Sequence, residues 1–150
     1  MNHAKYMKKA LLEAQKAYDL DEVPVGAVIV DESGAIIAES HNLKEGPKNP
    51  CGHAEIIAIN KAAETLGSWR LTNCNLYVTL EPCMMCAGAI VQSRLLNVYF
   101  GASDPKAGFI KSIAHGFDYP HNHKPSWSNG TLELECSNLL KKFFKQKRSK

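Results

Sequence analysis

The sequence has no long hydrophobic segment. Its longest apolar run extends from Pro24 to Val30 and is far shorter than the roughly 20 residues that a transmembrane helix needs. The chain also has no internal repeat, no low-complexity tract and no linker. These absences exclude a membrane-spanning chain and a repeat architecture. With 45% apolar and 22% charged residues, the composition is typical of globular proteins, and we expect a single domain over residues 1–150.

The cysteines do not suggest a disulfide framework. Their number, 5, is odd, and a chain of 150 residues buries enough surface to fold without disulfides. The N-terminal residues, Met1 to Tyr6, do not resemble an apolar signal segment. We therefore expect a reducing, cytoplasmic location in which the thiols are free or bound to metal. Outside the motif discussed below, we expect three cysteines to be small buried side chains: Cys51, Cys74 and Cys136.

The net charge is small, formally +3 at pH 7, but it is unevenly distributed. The rest of the chain is net acidic, because the last ten residues contain no acidic residue and six basic residues: Lys141, Lys142, Lys145, Lys147, Arg148 and Lys150. A tail of this kind often contacts nucleic acid, and a solvated helix end explains the charge equally well. The same segment contains an apolar stripe that predicts packing on the core: Leu139, Leu140, Phe143 and Phe144.

Hydrophobic periodicity predicts four helices and five strands. Apolar residues at three- and four-residue spacing predict helices over 3–19, 53–66 and 83–93 and from 136 onwards. Short runs rich in β-branched residues predict strands over 24–30, 35–40, 76–80, 97–100 and 131–135. The alternation of strands and helices indicates an α/β fold, in which one mixed five-stranded sheet lies between helices. Two long irregular segments remain, 41–52 and 101–125, and loops of this length are often functional.

Two short segments contain side chains that bind metals: His53-x-Glu55 and Pro82-Cys83-x-x-Cys86. One imidazole and two thiols equal the three protein ligands of a catalytic zinc site, whose fourth position belongs to water. Cys83 and Cys86 are three residues apart and lie on one face of a helix. Glu55, two residues from His53, points away from it on a helix. We therefore expect Glu55 to carry protons and not to be a fourth ligand.

The combination of these segments is more informative than either alone. H-x-E is common by chance, and C-x-x-C occurs in zinc sites and in thiol redox centres. No second C-x-x-C is present to complete a closed structural zinc site. The combined pattern H-x-E…P-C-x-x-C is the signature of zinc-dependent nucleobase deaminases, and it predicts one Zn²⁺ per chain. A buried histidine with two core cysteines is the alternative.

Further segments show a more specific resemblance. They are Glu22-Val23-Pro24-Val25-Gly26-Ala27, Leu76 to Cys83, Met85-Cys86-Ala87-Gly88, Ser93-Arg94, Gly101-Ala102, Asn122-His123 and Phe143-Phe144. With these residues the chain resembles the bacterial tRNA-specific adenosine deaminases, which belong to the zinc-dependent cytidine/deoxycytidylate deaminase superfamily. The resemblance covers nearly the whole chain. It implies the three-layer α/β/α fold of cytidine deaminases and conversion of the wobble adenosine of a tRNA anticodon to inosine, with release of ammonia.

The resemblance also implies roles for individual residues. It implies three zinc ligands: His53, Cys83 and Cys86. It implies Glu55 as the proton shuttle, Asn42 as a contact to the flipped nucleoside and Asp104 as a contact near the bound anticodon loop. Hydroxide generated at zinc would replace the amine at C6 of adenine while Glu55 carries the protons. The family further implies a homodimer, in which the neighbouring subunit shapes part of each active site.

The sequence departs from the family pattern at three places. Cys51-Gly52 stands where Thr-Ala usually precedes the histidine, and Lys124-Pro125 stands where Arg and a β-branched residue are usual. Lys111 replaces a glycine, which changes the backbone freedom of that turn. Cys51 is close enough in sequence to the metal site to be a stray ligand. We expect these changes to affect RNA contacts and not the chemistry.

Two other functions are compatible with parts of the pattern. A small-molecule deaminase of guanine or cytosine would need the same zinc ligands and the same glutamate, so the motif does not exclude it. A catalytically silent RNA-binding or structural zinc module is the other alternative. Glu55 argues against that module, because a zinc ion closed by four protein ligands has no use for a free carboxylate.

Overall fold

The structure is a computed structural model that describes residues 2–148. Met1, Ser149 and Lys150, the last of the predicted basic residues, lie outside the described part. Within it, helices and strands follow one another as α1 (His3–Asp19), β1 (Gly26–Val30), β2 (Ile36–His41), α2 (Ala54–Leu66), β3 (Asn75–Leu80), α3 (Met84–Gln92), β4 (Asn97–Ala102), a short 3₁₀ helix (Gly116–Asp118), β5 (Ser126–Asn129) and α4 (Glu133–Arg148).

The strands form one mixed sheet in the order β2-β1-β3-β4-β5. β1 is antiparallel to both β2 and β3, whereas β3, β4 and β5 are parallel to one another. The parallel strands therefore all end at one edge of the sheet, which we call the site edge. β1 begins at this edge, because it runs in the opposite direction. The segments that leave β3 and β4 at the site edge lead into α3 and into the 103–115 loop.

The sheet lies between two helical layers. Along β1, Val28 and Val30 pack with residues of α1, such as Met7. The alternate residues Ala27 and Ile29 pack with residues of α2 and α3, such as Ala58. α4 lies on the same side as α1, as the 5.9 Å distance between the rings of Tyr18 and Phe143 indicates. The predicted three-layer α/β/α fold with a five-stranded mixed sheet is confirmed.

The predicted fifth strand, residues 131–135, is wrong. The strand in that position of the sheet is β5, and Glu133 already begins α4. Leu132 and Leu134 alternate with polar residues and so imitate a strand, but Leu132 has a left-handed φ of 52° that breaks an extended chain. Glu133 and Glu135 then favour a helix start. β5 is exposed along its whole length, so it has no hydrophobic period that could reveal it.

The apolar stripe of the C-terminal helix is narrower than predicted. Cys136, Leu140 and Phe143 form the buried face of α4, at the spacing of one helix face. Phe144 was expected to be buried with them but is 44% exposed. It follows Phe143 directly, and successive residues of a helix point to different sides of its axis. The prediction of buried cysteines holds for Cys74 and Cys136 but is wrong for Cys51, which is exposed.

No helix among residues 2–148 is long and apolar enough to cross a membrane.

Candidate active site

The three predicted zinc ligands come together at the site edge. His53 is the N-cap residue of α2 and Cys83 that of α3, and Cys86 lies in the first turn of α3. The ligand atoms of the three residues lie within 4.8 Å of one another. His53 Nδ1 is 3.5 Å from the Sγ atom of Cys83 and 3.5 Å from that of Cys86. Residues that are about 30 positions apart in sequence thus form one compact donor set.

The spacing of these atoms fits a zinc ion. Zinc binds nitrogen at about 2.0–2.1 Å and thiolate sulfur at about 2.3 Å in tetrahedral geometry. These values place nitrogen and sulfur ligands about 3.5 Å apart, which is the distance between His53 and each cysteine. Among the described residues, no fourth histidine, cysteine or carboxylate joins the group. A donor set of this kind can hold the metal and leave one coordination position for a small molecule.

The electrostatics of the two thiols also favour a cation. A hydrogen bond with Cys86 lowers the pKa of Cys83 to about 4, and the start of α3 favours a thiolate there. The same interaction, together with burial, raises the pKa of Cys86, so the pair shares one proton. Metal binding displaces such protons and makes both sulfurs thiolates.

Glu55 lies beside the metal-binding cluster and is only 4% exposed. Burial raises the pKa of Glu55 to about 7, and the side chain interacts with Cys86. A carboxyl group with a pKa near neutrality can both accept and donate a proton under physiological conditions. The structure thus places a buried carboxyl group next to the three candidate metal ligands without making it part of their cluster.

Two side chains of the preceding segment fix the start of α2. Asn42 Oδ1 accepts a hydrogen bond of 2.8 Å from the backbone N–H of Ala54. The Ser40 hydroxyl donates a bond of 2.6 Å to the Ala54 carbonyl. Because Ala54 lies between His53 and Glu55, these bonds fix the backbone that carries both candidate residues. Asn42 uses its amide oxygen in this contact, so its NH₂ group is the part that could donate to a ligand.

The loop that carries Asn42 towards His53 is held by a buried carboxylate, that of Glu22. Glu22 is 3% exposed and accepts three hydrogen bonds of 2.9–3.0 Å from the backbone N–H groups of Lys44, Glu45 and Gly46. Burial raises the pKa of Glu22, but these bonds outweigh it, and the net effect lowers the pKa. Sequence reasoning did not assign a role to Glu22, although it belongs to a segment that carries the family resemblance.

The Cys51-Gly52 departure changes this loop and not the metal cluster. A Cβ atom on residue 52 would lie 2.2 Å from the carbonyl oxygen of Leu43, so the close approach of the two ends of the loop requires glycine. The Leu43 N–H donates a bond of 2.9 Å to the Gly52 carbonyl at the same place. Cys51 is exposed and does not belong to the group of metal-binding atoms. Lys111, another departure from the family pattern, adopts no left-handed φ, so the turn does not need the glycine that it replaces.

A second buried carboxylate, Glu81, holds the 103–115 loop. It lies between β3 and Pro82 and accepts five hydrogen bonds, from the N–H groups of Asp104, Ile110, Lys111 and Ser112 and from the Ser112 hydroxyl. Asp104, predicted to contact RNA, also accepts bonds from the N–H groups of Lys106 and Ala107 and so shapes the first turn of the loop. Sequence reasoning missed the role of Glu81 as well.

A groove of about 880 Å³ lies next to the 103–115 loop at the site edge. Its apolar part is formed by Val23, Leu80, Leu140 and Phe144. Its charged part contains Asp104 and four basic residues: Lys106, Lys141, Lys147 and Arg148. Basic side chains together with an exposed aromatic side chain are typical of sites that bind single-stranded nucleic acid.

Comparisons with known proteins agree with this geometry. The sequence profile of the MafB19-like deaminases matches residues 1–148. The tRNA-specific adenosine deaminase of Bacillus subtilis is 47% identical over 97% of this chain and 90% of its own length. That of Haemophilus influenzae is 50% identical over 96% of this chain and 84% of its own length.

Two solved structures have the same fold and differ in how similar they are to this chain. One, from a study of A-to-I editing by tRNA:A34 deaminases at the wobble position, has a TM-score of 0.88 and 44% identity and covers 91% of this chain and 99% of its own. The other, a guanine deaminase from Bacillus subtilis, has a TM-score of 0.67 and 34% identity and covers 100% of this chain and 96% of its own.

The fold and the metal-binding cluster, with a buried glutamate beside it, define a deaminase of the cytidine deaminase class. Within this class, the chain belongs to the family of tRNA-specific adenosine deaminases.

Proposed function

We propose that this protein, as one catalytic domain over residues 1–150, deaminates the wobble adenosine of a tRNA anticodon to inosine and releases ammonia. The observation that carries the proposal is the cluster of His53, Cys83 and Cys86 with Glu55 buried beside it. The similarity to relatives named tRNA-specific adenosine deaminases supports the choice of substrate.

His53, Cys83 and Cys86 would hold one Zn²⁺ per chain. When bound, this ion supplies a nucleophile at neutral pH by lowering the pKa of water to about 7. The three ligands leave room for water because no fourth protein ligand joins them among the described residues.

Glu55 moves the protons in this proposal. It takes one proton from the attacking water and delivers it to the purine ring nitrogen. It then takes the second proton from the new hydroxyl at C6 and delivers it to the amine, so that ammonia leaves and the carbonyl of inosine forms. Its low exposure of 4% supports this role, because a buried carboxyl is protected from exchange with bulk water. Burial raises the pKa of Glu55 and so favours the protonated form that it has to hold between the steps.

The remaining residues would bind RNA. A base in an anticodon loop can be splayed out of its stack more easily than a base in a duplex, and the Asn42 NH₂ group would then donate to the flipped nucleoside. Asp104 would contact the loop near it. The basic residues of the groove, Lys106, Lys141, Lys147 and Arg148, would contact phosphates.

We also propose a cytoplasmic homodimer. Large apolar side chains are exposed close to the site: Met84, next to Cys83, is 67% exposed and Ile113 is 55% exposed. Apolar surface of this kind is typical of interfaces. Light scattering on the zinc-loaded protein tests this proposal, because a mass of one chain would contradict it.

The competing function is guanine deamination, which the resemblance to the Bacillus subtilis guanine deaminase keeps open. The higher TM-score of the wobble-deaminase structure and the basic groove favour RNA. The deciding experiment gives purified zinc-loaded protein an anticodon stem-loop with adenosine at the wobble position and, separately, free guanine, cytosine and adenosine. We expect inosine in the stem-loop and no ammonia from the free compounds. Ammonia from guanine with an unmodified stem-loop would contradict the proposal.

A further inference from the structure

Glu81 is a buried carboxylate whose hydrogen bonds all go to one loop. It is 2% exposed, and among the described residues no Lys, Arg or His group lies within ion-pair distance of it. Burying an unpaired carboxylate is costly unless hydrogen bonds compensate for the lost water. Here the compensation comes entirely from the segment 104–112.

The two oxygens of Glu81 join the two ends of this segment. Oε1 accepts a bond of 3.0 Å from the Asp104 N–H and also the Ser112 hydroxyl. Oε2 accepts bonds of 3.1, 2.8 and 3.0 Å from the N–H groups of Ile110, Lys111 and Ser112. The loop is thereby folded around one carboxylate, with Asp104 and Lys106 on the side of the groove.

The close packing of Gly108 supports this arrangement. A Cβ atom on residue 108 would lie 2.3 Å from Glu81 Oε1 and 2.3 Å from its Cδ, so the loop lies directly against the carboxylate. Apart from the contacts of Glu81, one backbone bond within residues 2–148 connects this segment to the start of α3, from the Phe109 N–H to the Pro82 carbonyl. Glu81 thus supplies most of the polar contacts that set the place of the loop.

We propose that Glu81 is a positioning residue for the RNA substrate. It precedes Pro82 and Cys83 directly, so it fixes the distance between the metal-binding end of α3 and the loop that carries Asp104 and Lys106. Among the described residues its carboxylate bonds to the loop, and it does not belong to the group of metal-binding atoms. This inference rests on the proposed function, because it assigns to Glu81 the alignment of RNA contacts for that reaction.

The proposal predicts which kinetic constant changes. If the loop loses its anchor, the RNA-contacting groups move while His53, Glu55, Cys83 and Cys86 stay in place on their helices. Binding of RNA then weakens, and the chemistry of bound RNA is largely kept. Because the loss of a hydrogen bond to a charged group typically weakens binding by about 10- to 100-fold, we expect KM for the stem-loop to rise by about 10- to 100-fold, with kcat changed by less than about threefold.

The test compares two variants that disrupt the contact between Glu81 and the loop, one by changing Glu81 and the other by changing the loop. Glu81→Gln places an NH₂ group against backbone N–H donors, and Gly108→Ala pushes the loop away from an intact Glu81. Both should raise KM, and the double variant should raise it no more than the stronger single one, because both remove the same contact. Ser112→Ala removes one donor only and should give a smaller rise in KM.

Zinc content, Tm and kinetics on the anticodon stem-loop are measured for each variant. Val98→Ala, a fully buried position at the beginning of β4, is the control for lost stability and should lower Tm without changing KM. A Glu81→Gln protein with lower Tm but KM within twofold of wild type overturns the inference, and so does loss of zinc in step with activity. If Glu81→Gln does not fold, Gly108→Ala and Ser112→Ala decide by the same criteria. Failure of the wild type to deaminate the stem-loop would instead overturn the proposed function.

Discussion

The metal-binding cluster and the basic groove lie at the same edge of the sheet but are built in different ways. The cluster residues sit at the starts of α2 and α3, and Glu55 and Cys86 are almost completely buried. The groove is formed by the 103–115 loop and by exposed side chains of α4, such as Lys141 and Arg148. One region is fixed by its helices and the other by loop contacts and the surface of one helix.

This difference follows from what each region would have to do. Metal ligands and a proton carrier need positions accurate to about 0.5 Å, which buried residues on helices provide. Phosphates are attracted by charge over about 8–10 Å in physiological salt, so exposed flexible lysines are sufficient. Substitutions in the cluster should therefore abolish metal binding or slow the chemistry, whereas substitutions in the groove should change affinity and its salt dependence.

The largest effect is expected for Cys86→Ser. Cys86 is 0% exposed and lies 3.5 Å from His53 Nδ1, and a serine hydroxyl is a poor substitute for a thiolate zinc ligand. We expect most of the zinc and nearly all activity to be lost. Elemental analysis of the purified protein checks the first and deamination of the stem-loop the second. Retention of about one zinc per chain in this variant would show that Cys86 is not a ligand.

Glu55→Gln should separate the chemistry from metal binding. Removal of a general acid–base group typically costs about 10²–10⁴-fold in rate, and we expect a loss near the upper end because Glu55 serves several proton transfers. Zinc content and affinity for the stem-loop should stay within about twofold of wild type. Single-turnover rates, elemental analysis and a binding assay measure the three quantities. A metal-free variant would mean that Glu55 is a ligand.

A smaller effect, confined to RNA binding, is expected when the cations of α4 are neutralised. The variant changes four exposed residues to Gln: Lys142, Lys145, Lys147 and Arg148. If all four contact phosphates, the slope of log Kd against log salt should decrease by up to about 3. Two of these cations have weak partners on the surface, since Lys147 pairs with Asp21 at 2.7 Å and Lys142 lies 5.1 Å from the ring of Tyr18. Turnover at saturating RNA should hardly change.

The matched control for this variant lies at the other end of the molecule. Lys5, Lys8 and Lys9 are exposed on the first half of α1, whose N-terminus lies away from the site edge. Their replacement by Gln lowers the net charge by a similar amount and should leave the salt slope within error of wild type. An unchanged slope in the α4 variant would mean that its lysines are only solvated. Equal slopes in both variants would indicate a general charge effect and not contacts made by the basic residues of α4.

The same contrast explains what could be predicted from the sequence. That His53, Cys83 and Cys86 come together could be predicted, because few side chains bind zinc and because Pro82 and helical periodicity indicated the helix starts on which they lie. The roles of Glu22 and Glu81 could not be predicted, because their partners are backbone N–H groups of loops more than 20 residues away. β5 was missed because an exposed strand has no hydrophobic period, and the exposure of Phe144 depended on the rotation of α4 about its axis.

The smallest effect is expected for substitution of Glu22, whose carboxylate holds the loop that leads from Asn42 to His53. Hydrogen bonds from the loop outweigh the effect of burial and keep the pKa of Glu22 below its ordinary value. A carboxylate whose pKa is lowered by folding stabilises the folded state above its unfolded pKa, about 4.3, and loses this contribution as the pH falls through the folded value. Glu22→Gln should therefore have a lower Tm than wild type at pH 7, and the difference should shrink only below about pH 4. Loss of metal in acid affects both proteins equally, so their comparison isolates the carboxylate. A Tm difference that is the same at pH 3 as at pH 7 would mean that the charge of Glu22 does not hold the loop, and that the neutral contacts around Gly52 do so instead.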